Sequence, residues 1–193
     1  MTLTKPKLPL AKLPLARTPL VRRSFLLAAL SWALPARAQP VPPASLIPQS
    51  LLEHANRLLA TLIQAGRDNA IAAGVKPVPA RIHRALLGFF PGMILRKARY
   101  SSGQADSIGI PGLALTYGDT AAIALGDVIL FRDDGRARAD TKLWAHELTH
   151  VMQYERWGID GFVRRYLENP EAIEKEARDN ADRYVWWSEH ARL

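Results

Sequence analysis

Trp144-Ala145-His146-Glu147-Leu148-Thr149-His150-Val151-Met152-Gln153-Tyr154 decides how the rest of the chain is read. Leu143, Trp144, Leu148, Val151 and Met152 recur at the steps of one face of an α-helix. On such a helix His146 and His150 stand about one turn apart on the same side. Both imidazoles can then reach one ion at about 2.0–2.1 Å. Glu147 follows the first histidine and lies beside that ion, where a carboxylate can take a proton from a metal-bound water. Asp140 is placed to cap this helix, and Gly158 to stop it just after Trp157.

Two protein ligands are too few, because a catalytic zinc takes three and keeps one position open. Downstream, Asn169-Pro170-Glu171 supplies an asparagine cap, a proline at the first helical position and an acid in the first turn, which together start another helix. Along it Glu174, Ala177 and Ala181 share one face. Alanines there let the two helices approach closely enough for a carboxylate to reach the ion, so Glu174 is the expected third ligand. Glu171 and Glu176 are the alternatives. Glu176 points about 200° around the helix from Glu174, so those two cannot both serve. No histidine follows His150 at a short distance; His190 is the only later one.

Upstream, residues 94–100, 112–117 and 121–131 read as short strands, with turns near Gly103, Gly118-Asp119 and Gly126-Asp127. Asp133-Asp134-Gly135 reads as a further turn. Before them come two helices. One spans residues 48–65, with Leu51, Leu52, Ala55, Leu58, Leu59 and Leu62 as its periodic set. The other starts at Pro79, runs through Ile82, Ala85, Leu86 and Phe89, and ends at Pro91-Gly92. Helices, a small sheet and helices again predict an α+β fold in a single domain, residues 48–193. Trp144, Trp186 and Trp187 are expected in the core or in helix seams, and Arg164-Arg165 on a solvated face.

The 193 residues carry 26 Lys+Arg against 18 Asp+Glu, a net charge of +8. Residues 1–38 hold Lys5, Lys7, Lys12, Arg17, Arg22, Arg23 and Arg37 and no acid. The remainder is therefore nearly neutral, and nucleic acid loses its support as a partner. The absence of cysteine excludes a disulfide scaffold, a cysteine nucleophile and thiolate metal sites. Pro9, Pro14 and Pro19 recur in register and oppose a helix. Arg22-Arg23 then precedes an apolar run of about twelve residues and Ala36-Arg37-Ala38, the three parts of a secretory signal peptide. The paired arginines also resemble a twin-arginine export signal. Residues 1–38 are thus expected to direct export to the periplasm or the extracellular space. Residues 39–47 form a proline-rich linker. No membrane span is expected once the signal is removed.

H-E-x-x-H followed by E-x-x-A on a later helix resembles the gluzincin branch of zinc metallopeptidases. More closely, residues 121–132 (A-A-I-A-L-G-D-V-I-L-F-R) followed by W-A-H-E-L-T-H-V-M-Q-Y resemble small bacterial metallopeptidases of the extracellular contractile injection system core domain type. The resemblance covers residues 94–182. It implies a zincin-like domain in which His146, His150 and Glu174 bind Zn2+ and Glu147 is the general base. It also implies a peptide or protein substrate lying along the strand at residues 121–131. One position departs from the pattern. Such families often place an acid after the alanine of E-x-x-A to steady a ligand histidine, and here that residue is Arg178, with Asp179 and Asp182 as substitutes. Tyr154, Tyr166, Tyr184 and His190 are the candidates for stabilising an oxyanion. The expected function is that of an exported zinc metallopeptidase. Its rival is a zinc-binding module without peptidase activity, acting in binding or assembly at the cell envelope.

Overall fold

Pro48 leads into the first helix, α1 (Gln49–Ala73). The computed structural model describes residues 48–103 and 121–191. The expected export segment (1–38), the linker (39–47) and the strand at 112–117 with its Gly118-Asp119 turn lie outside them. α1 is longer than its leucine pattern predicts, and it buries a different stripe. Ala60, Ile63, Gly66 and Ala70 face the core, whereas Leu51 and Leu58 are each 56% exposed. The small side chains at 60, 66 and 70 permit close approach, so burial concentrates in the C-terminal half of the helix.

α2 (Ala80–Leu86) starts after Pro79 as expected but ends before Phe89. Gly88, at φ 95°, takes the chain into a backbone region that other residues rarely adopt. The expected strand at residues 94–100 is corrected by the structure. Its first part is a helix, α3 (Gly92–Lys97), and only Arg99–Ser102 is strand, β2. Pro91-Gly92 reads from sequence as a helix stop, but it also begins one. Proline suits a helix entry, and its carbonyl accepts from the Ile94 N–H at 3.0 Å.

β1 (Lys76–Pro77), β2, β3 (Ala122–Leu125) and β4 (Val128–Phe131) form one sheet in the order β1-β2-β4-β3. β2 and β4 run parallel, and the other pairs are antiparallel. The apolar run at 121–131 is thus a hairpin. Gly126, at φ 66°, sits first in its two-residue loop, where a II′ turn takes glycine. Arg67 Nε reaches Asp127 Oδ1 at 2.6 Å and ties α1 to that loop. Every residue of β4 is buried.

Asp133-Asp134-Gly135 is more than a turn. Asp133 accepts from the Arg136 N–H at 2.8 Å and caps α4 (Asp134–Ala139). The two long helices are α5 (Thr141–Glu168) and α6 (Pro170–His190). Asp140 and Asn169 cap them as expected, accepting from Leu143 N–H at 2.9 Å and Ala172 N–H at 3.1 Å. Gly158 breaks α5 at φ 67°, ψ 174°, after which the helix resumes. Trp144 lies at the centre of the core, its Nε1 donating to the Ala137 carbonyl at 2.7 Å and its ring 4.8 Å from Phe131. Trp187 packs against Phe89, but Trp186 is 62% exposed, contrary to its expected core role. Six helices and a four-stranded sheet among the described residues make the fold α+β in a single domain, as predicted. No described helix is long and apolar enough to cross a membrane.

Candidate metal centre

Helical spacing aligns His146 and His150 on α5, and the packing of α6 adds a carboxylate. Ala177 and Ala181 are buried in the α5–α6 seam, and Glu174 on the same face of α6 reaches the histidines. His146 Nε2 and His150 Nε2 are 3.1 Å apart. Glu174 Oε2 lies 3.4 Å from the first, and its Oε1 lies 3.7 Å from the second. These three side chains form a group that can hold a metal ion. The spacing fits one: a tetrahedral site with bonds of about 2.0–2.1 Å has edges of about 3.3–3.4 Å. Two neutral imidazoles and a carboxylate are also a donor set that suits zinc.

The competing acids are placed elsewhere. Glu171 pairs with Arg178 on the outside of α6. Glu176 accepts from Gln153 Nε2 at 3.0 Å and from Arg156 at 3.3 Å. Neither substitute for the missing acid serves as one. Asp179 pairs with Lys175, and Asp182 with Lys142. Sequence reasoning gave Gln153 no role, yet it is fully buried and its Oε1 lies 2.8 Å from His150 Nδ1. Its position three residues after His150, on the same helix face, was the signal that could have found it.

Glu147 is buried beneath β3. Arg132 N–H donates to the Ala121 carbonyl at 3.0 Å, which sets the hydrogen-bond alternation of the hairpin. Ala122 and Ala124 therefore turn their backbone polar groups away from β4. The Ala124 N–H meets the Glu147 carboxylate. Burial pushes that carboxyl up to about 7, with Glu174 adding to the rise and His146 and Ala124 opposing it. Burial likewise holds the His150 ring neutral, down to about 4, against the pull of Glu174. Burial alone would raise Glu174, but His146, His150 and the Tyr166 hydroxyl outweigh it and bring the carboxylate down to about 2.

Of the four candidate donors for an oxyanion, Tyr166 reaches the triad: its hydroxyl donates to Glu174 Oε1 at 3.2 Å. Burial pushes that hydroxyl's pKa up, so it stays protonated and remains a donor. The break at Gly158 makes this possible. In a straight helix the sixteen residues from His150 would carry Tyr166 about 24 Å along the axis. Tyr154 is buried, stacked on Phe162 at 3.9 Å. Tyr184 donates to the Ala85 carbonyl, and His190 stacks on Trp186.

Residues 112–158 match the family model described as the eCIS core domain. Among the described residues the match covers β3, β4, α4 and α5 as far as Gly158, so it includes His146, Glu147 and His150 and ends before Glu174. It supports the likeness to that family. No curated protein and no solved structure matches the chain.

Proposed function

We propose that the chain is an exported zinc metallopeptidase that works at the cell envelope or beyond, associated with an extracellular contractile injection system. The convergence of His146, His150 and Glu174 on one point, with Glu147 buried beside them, carries this reading. Zinc held by the three would supply a Lewis acid that polarises the scissile carbonyl and makes water more acidic. Glu147 takes the proton from the attacking water and passes it to the departing amine. Glu147 is buried beside the two histidines, so its carboxyl lies within reach of both transfers. Tyr166 keeps Glu174 oriented through its hydroxyl. An extended peptide would pair with the outward backbone groups of β3, the edge strand of the described sheet, apart from the Ala124 N–H that Glu147 holds. The export role rests on residues 1–38, and the injection-system association on the match at 112–158.

A second reading is a zinc-binding module without peptidase activity. It is favoured by Arg178, which pairs outward in place of the usual acid, and by Tyr166, whose hydroxyl is engaged by Glu174. Both readings require bound zinc, and hydrolysis separates them. Glu147→Gln should keep the metal and abolish chelator-sensitive cleavage of a peptide library. Wild-type protein that holds zinc yet cleaves nothing in the library would leave the second reading standing.

A further inference from the structure

We infer that Gln153 is a positioning residue that fixes which nitrogen of His150 carries the proton, and that Glu176 fixes Gln153 in turn. An amide side chain has two unlike ends: the oxygen only accepts and the NH2 only donates. The NH2 of Gln153 faces two acceptors, the Ile173 carbonyl at 3.2 Å and Glu176 Oε2 at 3.0 Å. Turning the amide over would set its oxygen against both of them. The orientation is therefore determined, and Oε1 is left 2.8 Å from His150 Nδ1. Facing an acceptor, Nδ1 must hold the ring's hydrogen. Nε2 then carries the lone pair, and Nε2 is the atom that faces His146 and Glu174.

Gln153 is 0% exposed, so no bulk water can take over either set of bonds. Arg156 holds the other oxygen of Glu176 at 3.3 Å and keeps that carboxylate in place. α6 thus supplies two acids to the same site from either side of one helix. Glu174 meets the histidines directly, and Glu176 acts through an amide. This arrangement takes the place of the acid that is missing at Arg178, and it supports His150 from α5 itself.

The inference rests on the reading of His150 as a metal ligand, but its test begins without metal. In metal-free, 15N-labelled protein at pH 8, long-range proton–nitrogen correlations report the tautomer of His150. Wild type should show the hydrogen on Nδ1. Gln153→Met, which keeps the volume and removes both ends of the amide, should lose that preference and weaken zinc binding by about 10–100-fold in competition with a chromophoric chelator. Glu176→Gln sits on a part-exposed side chain and tests the relay with little risk to folding. It lets the Gln153 amide turn over, so it should give mixed tautomers and a smaller loss of zinc affinity at unchanged thermal stability. Hydrogen on Nε2 in the wild type would overturn the inference. So would variants that all keep the Nδ1 tautomer and wild-type affinity. Wild-type protein that binds no zinc would overturn the metal reading alone, and the tautomer would still decide this one.

Discussion

β4 buries Val128, Ile129, Leu130 and Phe131, with no polar side chain among them, whereas the seam of α5 and α6 buries Glu147, Thr149, His150, Gln153 and Asn180. In β4, burial rewards volume and shape alone, and any apolar side chain of similar size would serve nearly as well. In the seam every polar atom must find a partner of the right kind in the right direction. Thr149 donates to the Ala145 carbonyl at 2.8 Å, and Asn180 donates to Thr149 at 2.8 Å. The seam therefore determines where side chains point, and the sheet supplies the rigid floor against which they point. Glu147 joins the two regions, since it belongs to the seam and is held by a β3 backbone amide.

Ile129→Ala gives the sharpest break between the regions. A fully buried isoleucine truncated in a packed core should cost about 2–5 kcal/mol in urea unfolding. Zinc stoichiometry should not change. Loss of zinc in a folded Ile129→Ala protein would show that the floor does more than support.

The opposite sign is expected at Glu147. Its folded pKa of about 7 lies above the unfolded 4.5, so the fold penalises the charged form. That penalty is absent below pH 4.5, grows as pH rises toward 7 and is constant above. Glu147→Gln removes it. The metal-free variant should therefore be more stable than wild type by about 3 kcal/mol at pH 8, and the gain should vanish at pH 4.5. Parallel unfolding curves at the two pH values give the difference directly.

Gly158→Ala should cost about 1–3 kcal/mol, because φ 67° with ψ 174° is a conformation that essentially only glycine adopts. Nothing lies within 4 Å of the position a Cβ would take, so the cost is one of backbone strain and not of collision. Weaker zinc binding should accompany it, since the break returns Tyr166 to Glu174. The smallest effect is expected at Asn180→Ala, about 1–2 kcal/mol, for the loss of one buried hydrogen-bond network member.

Much of this was legible in the sequence wherever the determining chemistry is local. Asp140, Asn169-Pro170 and Gly126-Asp127 are caps and a turn whose signals lie within a few residues, and each formed where predicted. His146, Glu147 and His150 follow from helical spacing. The stretch at residues 94–100 failed because a short apolar run does not distinguish helix from strand, and the pairing of Arg99–Ser102 with β4 is set from far away in the chain. The stripe that α1 buries depends on what it packs against, so its leucines misled. The choice among Glu171, Glu174 and Glu176 depends on the rotation of α6 about its own axis. Ala177 and Ala181 pointed to that rotation, and the tertiary packing fixed it. Gln153 stayed hidden because its two sets of partners lie on different helices. The return of Tyr166 was hidden too: Gly158 reads as an end, and nothing local says that the helix resumes.

Zinc stoichiometry of the purified full-length protein tests the metal centre most directly. The chain is stripped with chelator, reloaded, desalted and measured by mass spectrometry. Wild type, Glu147→Gln and Glu171→Ala should each hold close to one equivalent, while His146→Ala and Glu174→Ala should hold almost none. A full equivalent in Glu174→Ala, or none in the wild type, would contradict the assignment of His146, His150 and Glu174 as the metal site.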